Sequence, residues 1–568
     1  MKNLKDQLKL IIYVLLFLNT FNVLIAKNTD EFYDVKDITN YFSGILAVND
    51  NQYQKSYNYL KSLNDLEDSH YAYSQYLQYS LVALKKFKDA KYYSKKLEEK
   101  KIDNFESNIV SVAYYLERKD FDKASVYLEK LKNKSKPGSI QHLLSASLNS
   151  WVSFKNINNL NSALNLLEGI PKKFENLKNI QKTFAYCHFD SDKTDGEFKK
   201  MTSRSDVNYS RYFFFHANYL VSKNKEKKAQ EILQSSLNLY PKNLILNQLK
   251  VDLEKRKIFN NQFDCRNSTH VVAEILYIVA NGLASQENYV ASNFYLNLAK
   301  YLNPNFISFE IRYAENFSAI NEDNEAKKIY KEIQKHGSVY RWHSAKQIAS
   351  TLVKQEKKKE AVIFLEKIFQ KIKNPTVYEI FDYANFLKNN KKFQESIKYY
   401  TNVINIIDRK HNLYGQAHDG RGVAYERTNQ WLKAETDLLN SLSVSPNDAY
   451  VINYLAYSWI EKGLNIEKSL NMLKKANALR PNDGYIIDSL GWALFKLKKY
   501  KDAKKYLQLA VRFMASDPVI NDHYADALWM NNNSLQARYY WNYVLNLKKT
   551  EEKLKKEIEQ KLLFGLKT

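Results

Sequence analysis

Small residues recur at a fixed interval through the C-terminal part of this chain. The first set is spaced by steps of 34, 35 and 34 residues and consists of Gly422, Ala456, Gly491 and Ala525. Twelve or thirteen residues after each comes a member of a second set, Ala434, Ser469, Ala503 and Ala537. A fixed period in this range indicates stacked supersecondary units that bury their apolar faces against one another. The period therefore predicts a repeat architecture for residues 412–547.

Each unit is predicted to be a pair of antiparallel helices. Large apolar residues, such as Leu490, Leu494 and Leu507, stand between the small ones at helical spacing. A small residue on the first helix lets the two helices of a unit approach closely, and one on the second helix lets the next unit dock. We expect proline to close the second helix, because it cannot donate a backbone hydrogen bond and disfavours helix in the residue before it. Three units reach such a proline, at Pro446, Pro481 and Pro518.

The same frame extends toward the N-terminus. Candidate small residues of earlier second helices are Ser56, Ala90, Ala124, Ala163, Ala229, Ser292, Ala326, Ala361 and Ser396. Two wider gaps each leave room for one degenerate unit, around residues 172–210 and 243–275. Glycine and proline, which punctuate turns, are scarce at 13 and 8 of 568 residues. We predict an unbroken helical array from about residue 38 to residue 547.

This combination resembles the tetratricopeptide repeat, which has small residues at its eighth and twentieth positions and proline at the thirty-second. The resemblance is close for residues 412–547 and rests on spacing further toward the N-terminus, where larger residues such as Trp151 take the eighth position. The close part also looks like the exported tetratricopeptide-repeat proteins of Gram-negative bacteria. The resemblance implies an all-α fold: a right-handed superhelical α-solenoid of stacked antiparallel helix pairs.

The chain is accordingly divided into five predicted segments. Residues 38–275 are expected to form degenerate repeats and residues 276–411 repeats of the same type, followed by the well-matched repeats of 412–547. Residues 548–568 are charged and amphipathic, which suits a helix that caps the last apolar face of a solenoid. Residues 1–26 form the remaining segment.

Residues 1–26 have the pattern of an export signal. Three lysines among the first nine residues precede an apolar stretch, Leu10–Ala26, that ends in a small residue. This stretch has 17 residues and is interrupted by polar ones, whereas a membrane-spanning helix needs about 20 apolar residues. A cleaved signal is favoured, although Leu24 is a poor residue for cleavage and keeps an uncleaved anchor open. We expect an exported, periplasmic protein, associated with the membrane if the segment is retained.

The net charge of +24 has two interpretations. Clustered lysines and arginines could bind a polyanion. However, the basic residues alternate with acidic ones along the predicted helices, and no run of five uninterrupted basic residues occurs. We therefore favour a solvated surface. The two cysteines, Cys187 and Cys265, are too few and too far apart for a disulfide framework or a cysteine-rich metal site. We expect them to be free thiols, with one bridge left open in an oxidising compartment.

No catalytic motif supports an enzymatic function. The phosphate-binding, dinucleotide-binding, zinc-protease and nucleophile-elbow patterns do not occur in the sequence. His411 and His418, with Asp419, come nearest to a metal cluster, but Gly415 weakens the helix between them and no third ligand is evident. We predict a non-enzymatic protein without cofactor or metal.

The resemblance also implies where a ligand would bind. In this family, residues three before, one after and four after the first small residue face the inner, concave surface. Polar groups there can hydrogen-bond an extended peptide, and aromatic rings give a large contact area. The alternative is that Trp492 and Trp529 pack against a neighbouring helix and the carboxylates pair with lysines. The candidate groove residues are Asp419, Asn453, Tyr457, Asp488, Trp492, Phe495, Asp522 and Trp529.

Two functions remain open. The first is a scaffold or adaptor that binds a peptide or protein partner in this groove, in an envelope complex. The second is a superhelix that binds a polyanion or polysaccharide and supports envelope or exopolysaccharide assembly. The acidic floor of the predicted groove disfavours nucleic acid, and no small-molecule substrate is expected.

Overall fold

A computed structural model describes residues 34–63, 66–68, 70–204, 208–255 and 262–566. Within these ranges the regular structure is helical, without strands, and successive helices are stacked in pairs. The predicted all-α fold of stacked helix pairs is therefore confirmed. The predicted export signal, residues 1–26, lies outside the described residues. In the part of the chain that is described, no helix is both long and apolar enough to cross a bilayer.

The described residues form two compact units, which divide between Gln347 and Ile348. The first unit contains α1 (Val35–Asn49), α2 (Tyr53–Leu60), α3 (Tyr71–Ala83), α4 (Phe87–Glu99), α5 (Phe105–Glu117), α6 (Phe121–Lys134), α7 (Ile140–Ser153), α8 (Leu160–Leu167), α9 (Glu175–His188), α10 (Thr194–Thr202), α11 (Ser210–Ser222), α12 (Glu226–Leu239), α13 (Leu244–Glu254), α14 (Ser268–Ser285), α15 (Tyr289–Leu302), α16 (Ser308–Ala319) and α17 (Asp323–Ile333).

The boundary between the units falls within α18 (Ser338–Lys354). The second unit continues with α19 (Lys358–Phe369), α20 (Val377–Asn389), α21 (Phe393–Ile406), α22 (Tyr414–Arg427), α23 (Trp431–Val444), α24 (Ala449–Glu461), α25 (Ile466–Leu479), α26 (Gly484–Lys496), α27 (Tyr500–Phe513), α28 (Pro518–Met530), α29 (Ser534–Leu545) and α30 (Glu552–Phe564).

The recurring small residues lie where helices approach most closely. Each of the thirteen second-helix positions, from Ser56 to Ala537, is 0% exposed. At the first-helix position, a Cβ added to Gly491 would lie 2.7 Å from Leu507 Cγ and 3.2 Å from the backbone nitrogen of the same residue. The side chains are small because the partner helix occupies the space that a larger one would need.

The turns inside the helix pairs explain how the chain folds with so little glycine. Most of these turns contain one residue in the left-handed conformation, for example Lys391, Asn429, Lys498 and Asn532, whose φ angles are 60–62°. Glycine is the usual residue in this conformation because it has no Cβ. Here lysine and asparagine adopt it, so the reversal of the chain is imposed by the packing of the two helices.

The segment between two successive helix pairs ends one helix and begins the next. Asp448, Asp483 and Asp517 cap α24, α26 and α28, and each side chain accepts hydrogen bonds from two backbone N–H groups of the first turn. Pro518 was expected to close the preceding helix, but it is the first residue of α28, where a missing N–H group costs nothing. Pro446 and Pro481 lie in turns after α23 and α25, as predicted.

In the first unit, α14 and α15 contact helices that precede them by many residues. α14 packs on α7, and α15 packs on α3 and α5. The Asn293 amide donates to Asn51 Oδ1 at 2.9 Å, and the Tyr301 ring stacks on Phe87 with centroids 3.8 Å apart. Parts of α3, α5 and α7 are therefore covered by the chain itself.

Cys187 and Cys265 form a disulfide in the structure, contrary to the expected free thiols. Their Cα atoms are 5.9 Å apart, within the range that a disulfide spans, and both residues are buried. The bridge joins the end of α9 to the segment before α14, 78 residues later. Sequence spacing could not place these two residues together, because the contact depends on the return of α14 to earlier helices.

Replacing Ala503 by Leu tests the packing of the repeats. Ala503 is fully buried in a cluster with Leu490 and Leu507, so the larger side chain should lower the free energy of unfolding by about 1–3 kcal/mol. Urea unfolding followed by circular dichroism measures this. The same substitution at exposed Ala515 should change little. Equal effects at the two positions would contradict the packing described.

Candidate functional site

The predicted groove residues lie on one row of helices. α22, α24, α26 and α28 are the first helices of four successive pairs, and α24 contacts α26, which contacts α28. The surface formed by these four helices is called here the A-helix face. All eight predicted residues stand on it: Asp419 on α22; Asn453 and Tyr457 on α24; Asp488, Trp492 and Phe495 on α26; Asp522 and Trp529 on α28.

Local sequence sets the register of this face. Asn453, Asp488 and Asp522 each stand five residues after the aspartate that caps their helix, so the caps place them at equivalent heights. Neighbouring helices are also joined at their starts, since the Tyr450 hydroxyl donates to Asp483 at 3.1 Å. The A-helix face is therefore built from rigid elements with a repeated hydrogen-bonding group in the same place.

Asp488 and Trp492 have their partners within the second unit. His523 Nδ1 on α28 lies 3.0 Å from Asp488 Oδ1, and both residues are buried. Trp492 stacks on His523 and on Phe495, with centroids 3.9 and 4.8 Å away, and its indole N–H donates to Glu461 at 2.6 Å. Trp492 is only 8% exposed. Its ring packs against the neighbouring helix, which was the alternative interpretation, and is not an open aromatic surface.

The pKa of His523 is raised above its usual value. Burial alone would lower the pKa of His523, but Asp488, which is hydrogen-bonded to it, and the nearby Asp522 and Asp526 outweigh burial and raise the pKa. The charges of the buried Asp488–His523 pair therefore compensate each other, and the pair needs no external ligand.

The C-terminal helix α30 reaches the end of the A-helix face. Lys561 Nζ lies 2.7 Å from Asp522 Oδ1 and 2.8 Å from Asp526 Oδ1. Gly565 lies against Trp529 so closely that an added Cβ would be 2.2 Å from the indole ring. Burial raises the pKa of Asp526 to about 6, and Asp522 adds to the rise while Lys561 opposes it. The predicted cap is thus a helix, and it also covers two of the predicted groove residues.

Among the four residues at the equivalent register, Asp419 and Asn453 have side-chain oxygens that accept no hydrogen bond from described residues, and Tyr457 lies one turn after Asn453 on α24. Asn453 Oδ1 is buried and accepts no hydrogen bond from the described part of the chain. No described residue donates to the Asp419 carboxylate, and burial raises its pKa to about 6, with Lys388 opposing the rise and Asp448 adding to it. Burial, with Glu461 and Asp488, also raises the pKa of Tyr457. Buried polar groups normally have partners, so this group is the candidate site.

His411 and His418, considered above as metal ligands, have local backbone contacts instead. The Leu413 N–H donates to His411 Nδ1 at 3.1 Å, and His418 Nδ1 lies 2.9 Å from the Tyr414 carbonyl oxygen. His523 and Lys561, which neutralise the carboxylates of the face, were missed by sequence reasoning. For His523, the available signal was its position next to Asp522, the residue one 34-residue step after Asp488.

The fold defines the class: within the described residues, this is an all-α protein of stacked helix pairs, and four of its first helices carry the A-helix face. Residues 315–552 match the family model of the tetratricopeptide repeat. This part of the chain, about two fifths of its length, therefore consists of tetratricopeptide repeats, which confirms the resemblance stated from the sequence for residues 412–547.

Individual proteins are more distant. A TPR repeat-containing protein, PA4667 of Pseudomonas aeruginosa, is 29% identical over 119 residues, and the match covers 21% of this chain and 18% of that protein. The chain thus spans about a fifth of the length of this curated relative. A chain in the crystal structure of the APC/C hetero-tetramer Cut9–Hcn1 is 14% identical, covering 94% of this chain and 97% of that chain, with a TM-score of 0.38. YrrB, a TPR protein with an unusual peptide-binding site, is 13% identical, covering 34% and 97%, with a TM-score of 0.27.

Replacing Asp419 by Asn should stabilise the protein at pH 7. The folded pKa of Asp419 is raised to about 6, so ionisation of this group costs stability, and the cost appears as the pH rises from the unfolded value through the folded one. The variant should gain on the order of 1–2 kcal/mol in unfolding free energy at pH 7 and little at pH 4. Urea unfolding at both pH values measures this, with exposed Asp502→Asn as the control. A variant less stable than the parent at pH 7 would show that the carboxylate is structural.

Proposed function

We propose that this protein is a non-enzymatic scaffold of an envelope complex and that it binds a segment of a partner protein on the A-helix face. The family supports a protein or peptide partner. The proposal rests on a difference in hydrogen bonding among the four residues that occupy the same position on α22, α24, α26 and α28. Asp488 is matched by His523 and Asp522 by Lys561, whereas Asp419 and Asn453 have no hydrogen-bond donor in the described part of the chain.

The chemistry of the open groups favours a ligand that donates hydrogen bonds. A carboxylate and an amide oxygen accept from backbone N–H groups or from lysine and arginine side chains. Tyr457, one turn after Asn453 on α24, is partly exposed, so it can add apolar contact area. An extended peptide with a basic residue supplies these donors. A polyanion would be repelled by the carboxylates, so the face does not favour the polyanion-binding alternative.

Two observations support export. Residues 1–26 have the composition of a secretory signal, and the buried Cys187–Cys265 disulfide is of the kind that persists in oxidising compartments such as the periplasm. The disulfide closes a loop of 78 residues, so it should restrict the unfolded chain and stabilise the first unit.

Partner capture tests the binding face. Mature protein with Asp419→Asn and Tyr457→Ala should lose about tenfold or more in the recovery of its partner from envelope extracts. The matched control replaces exposed Asp502 by Asn and Tyr539 by Ala, and Tyr539 is 69% exposed on α29. Quantitative mass spectrometry of the captured proteins compares parent, variant and control. If no captured protein falls in the variant while remaining in the control, this face is not the binding site.

Export is tested on the protein from its native cells. N-terminal sequencing should find a mature chain that begins near Lys27 in the envelope fraction. Thiol labelling of the denatured, unreduced protein should find neither Cys187 nor Cys265 reactive, and a Cys187→Ser, Cys265→Ser variant serves as the zero point. Intact Met1 on cytosolic protein with two reactive thiols would reject export.

A further inference from the structure

The end of the A-helix face contains a binding pocket for a cationic group. Lys561 Nζ contacts both oxygens of Asp522, at 2.7 and 2.9 Å, and both oxygens of Asp526, at 2.8 Å. The two aspartates are 6% and 3% exposed. The Trp541 indole N–H donates to Asp526 at 3.0 Å, and its ring centroid is 6.0 Å from the ammonium. Two buried carboxylates beside an aromatic ring match a lysine or arginine head group.

The occupant of this pocket is an amphipathic helix. Ile558 of α30 is fully buried, and Leu554 and Leu562 pack against the apolar cluster of the last repeat. These residues recur at steps of four, and Lys561 lies beside Leu562 on the same contact surface. Lys553 points to solvent, with 90% of its side chain exposed. α30 therefore binds as a helix with an apolar stripe and one partly buried lysine in its last turn.

A cap alone does not require this pocket. A helix that only shields the last apolar face needs an apolar inner side and a polar outer side. Burying a lysine between two aspartates adds the desolvation of three charges, and an apolar contact of similar volume would stabilise the end of the array as well or better. A buried charge cluster instead makes the fit specific for a helix that brings a positive charge to this point.

We propose that the pocket of Asp522, Asp526 and Trp541 binds a basic side chain on an amphipathic helix of a partner protein, and that α30 is an intramolecular occupant which this partner displaces. The inference rests on the proposed use of the A-helix face and adds a basic amphipathic helix of the partner to the extended segment proposed at Asp419 and Asn453. Because α30 is tethered a few residues from its site, its effective concentration is high and a free helix competes poorly. Weakening the Lys561 contact should therefore uncover the site.

The test uses the mature chain and a fluorescent peptide with the sequence of residues 549–566. In Lys561→Gln protein, the buried aspartates lose their counter-ion, so α30 should leave the pocket and be cleaved by protease faster than in the parent. The peptide should bind this variant about tenfold or more tightly than it binds the parent. A peptide with Gln in place of the lysine at position 561 should bind about tenfold or more weakly. Lys553→Gln protein, altered on the solvent side of α30, should behave like the parent.

Three results would overturn the proposal. One is that α30 remains as resistant to protease in Lys561→Gln as in the parent, because the lysine then does not hold the helix. Another is that α30 is released but the peptide does not bind, because the pocket then has no affinity in trans. The third is equal binding of the peptides with lysine and with glutamine at position 561, because the pocket then does not distinguish a charged side chain from a neutral one. No envelope partner takes part in this assay, so its failure is distinct from failure of the capture experiment on Asp419 and Tyr457.

Discussion

The close approach of paired helices is the constraint on which the rest of this structure depends. At thirteen positions along the described chain an alanine or serine is fully buried where a neighbouring helix passes, and at Gly491 even one added carbon would collide with Leu507. Such a short distance allows the apolar side chains between the small residues to interlock without voids. It also imposes the left-handed turn residues, since Lys498 and its equivalents adopt a conformation that they would not adopt in isolation.

Once the first helices of the repeats stand side by side, their polar groups must find partners at short range. On the A-helix face, Asp488 finds its partner on the next first helix, where His523 lies beside it. Asp522 and Asp526 find theirs on the C-terminal helix, where Lys561 neutralises them. Asp419 and Asn453 stand at the same register without such a partner among the described residues. A repeated scaffold with a local break in its polar pairing is a simple way to specify where a ligand binds.

In the first unit, polar residues are satisfied by contacts between helices far apart in sequence. There α14 and α15 contact α3, α5 and α7, and polar residues such as Asn293 and Asn51 satisfy one another across segments far apart in sequence. The Cys187–Cys265 disulfide joins the end of α9 to the segment just before α14. The surface of α3, α5 and α7 that these contacts cover is not open to a partner.

The amino-acid sequence by itself determined the helix pairs, their period and the residues at their contacts, because a small side chain every 34 residues reports on nearest neighbours. It also placed Asp419, Asn453, Asp488 and Asp522 in one row, since the repeat period carries over to the surface. Only the tertiary structure decided which members of the row are open. The partners of Asp488 and Asp522 come from another helix and from the C-terminus, and the ring of Trp492 is covered by His523. The disulfide and the packing of α14 on α7 likewise depend on contacts between segments far apart in sequence. Periodicity contains no signal for such contacts, because it reports only on contacts between neighbouring repeats.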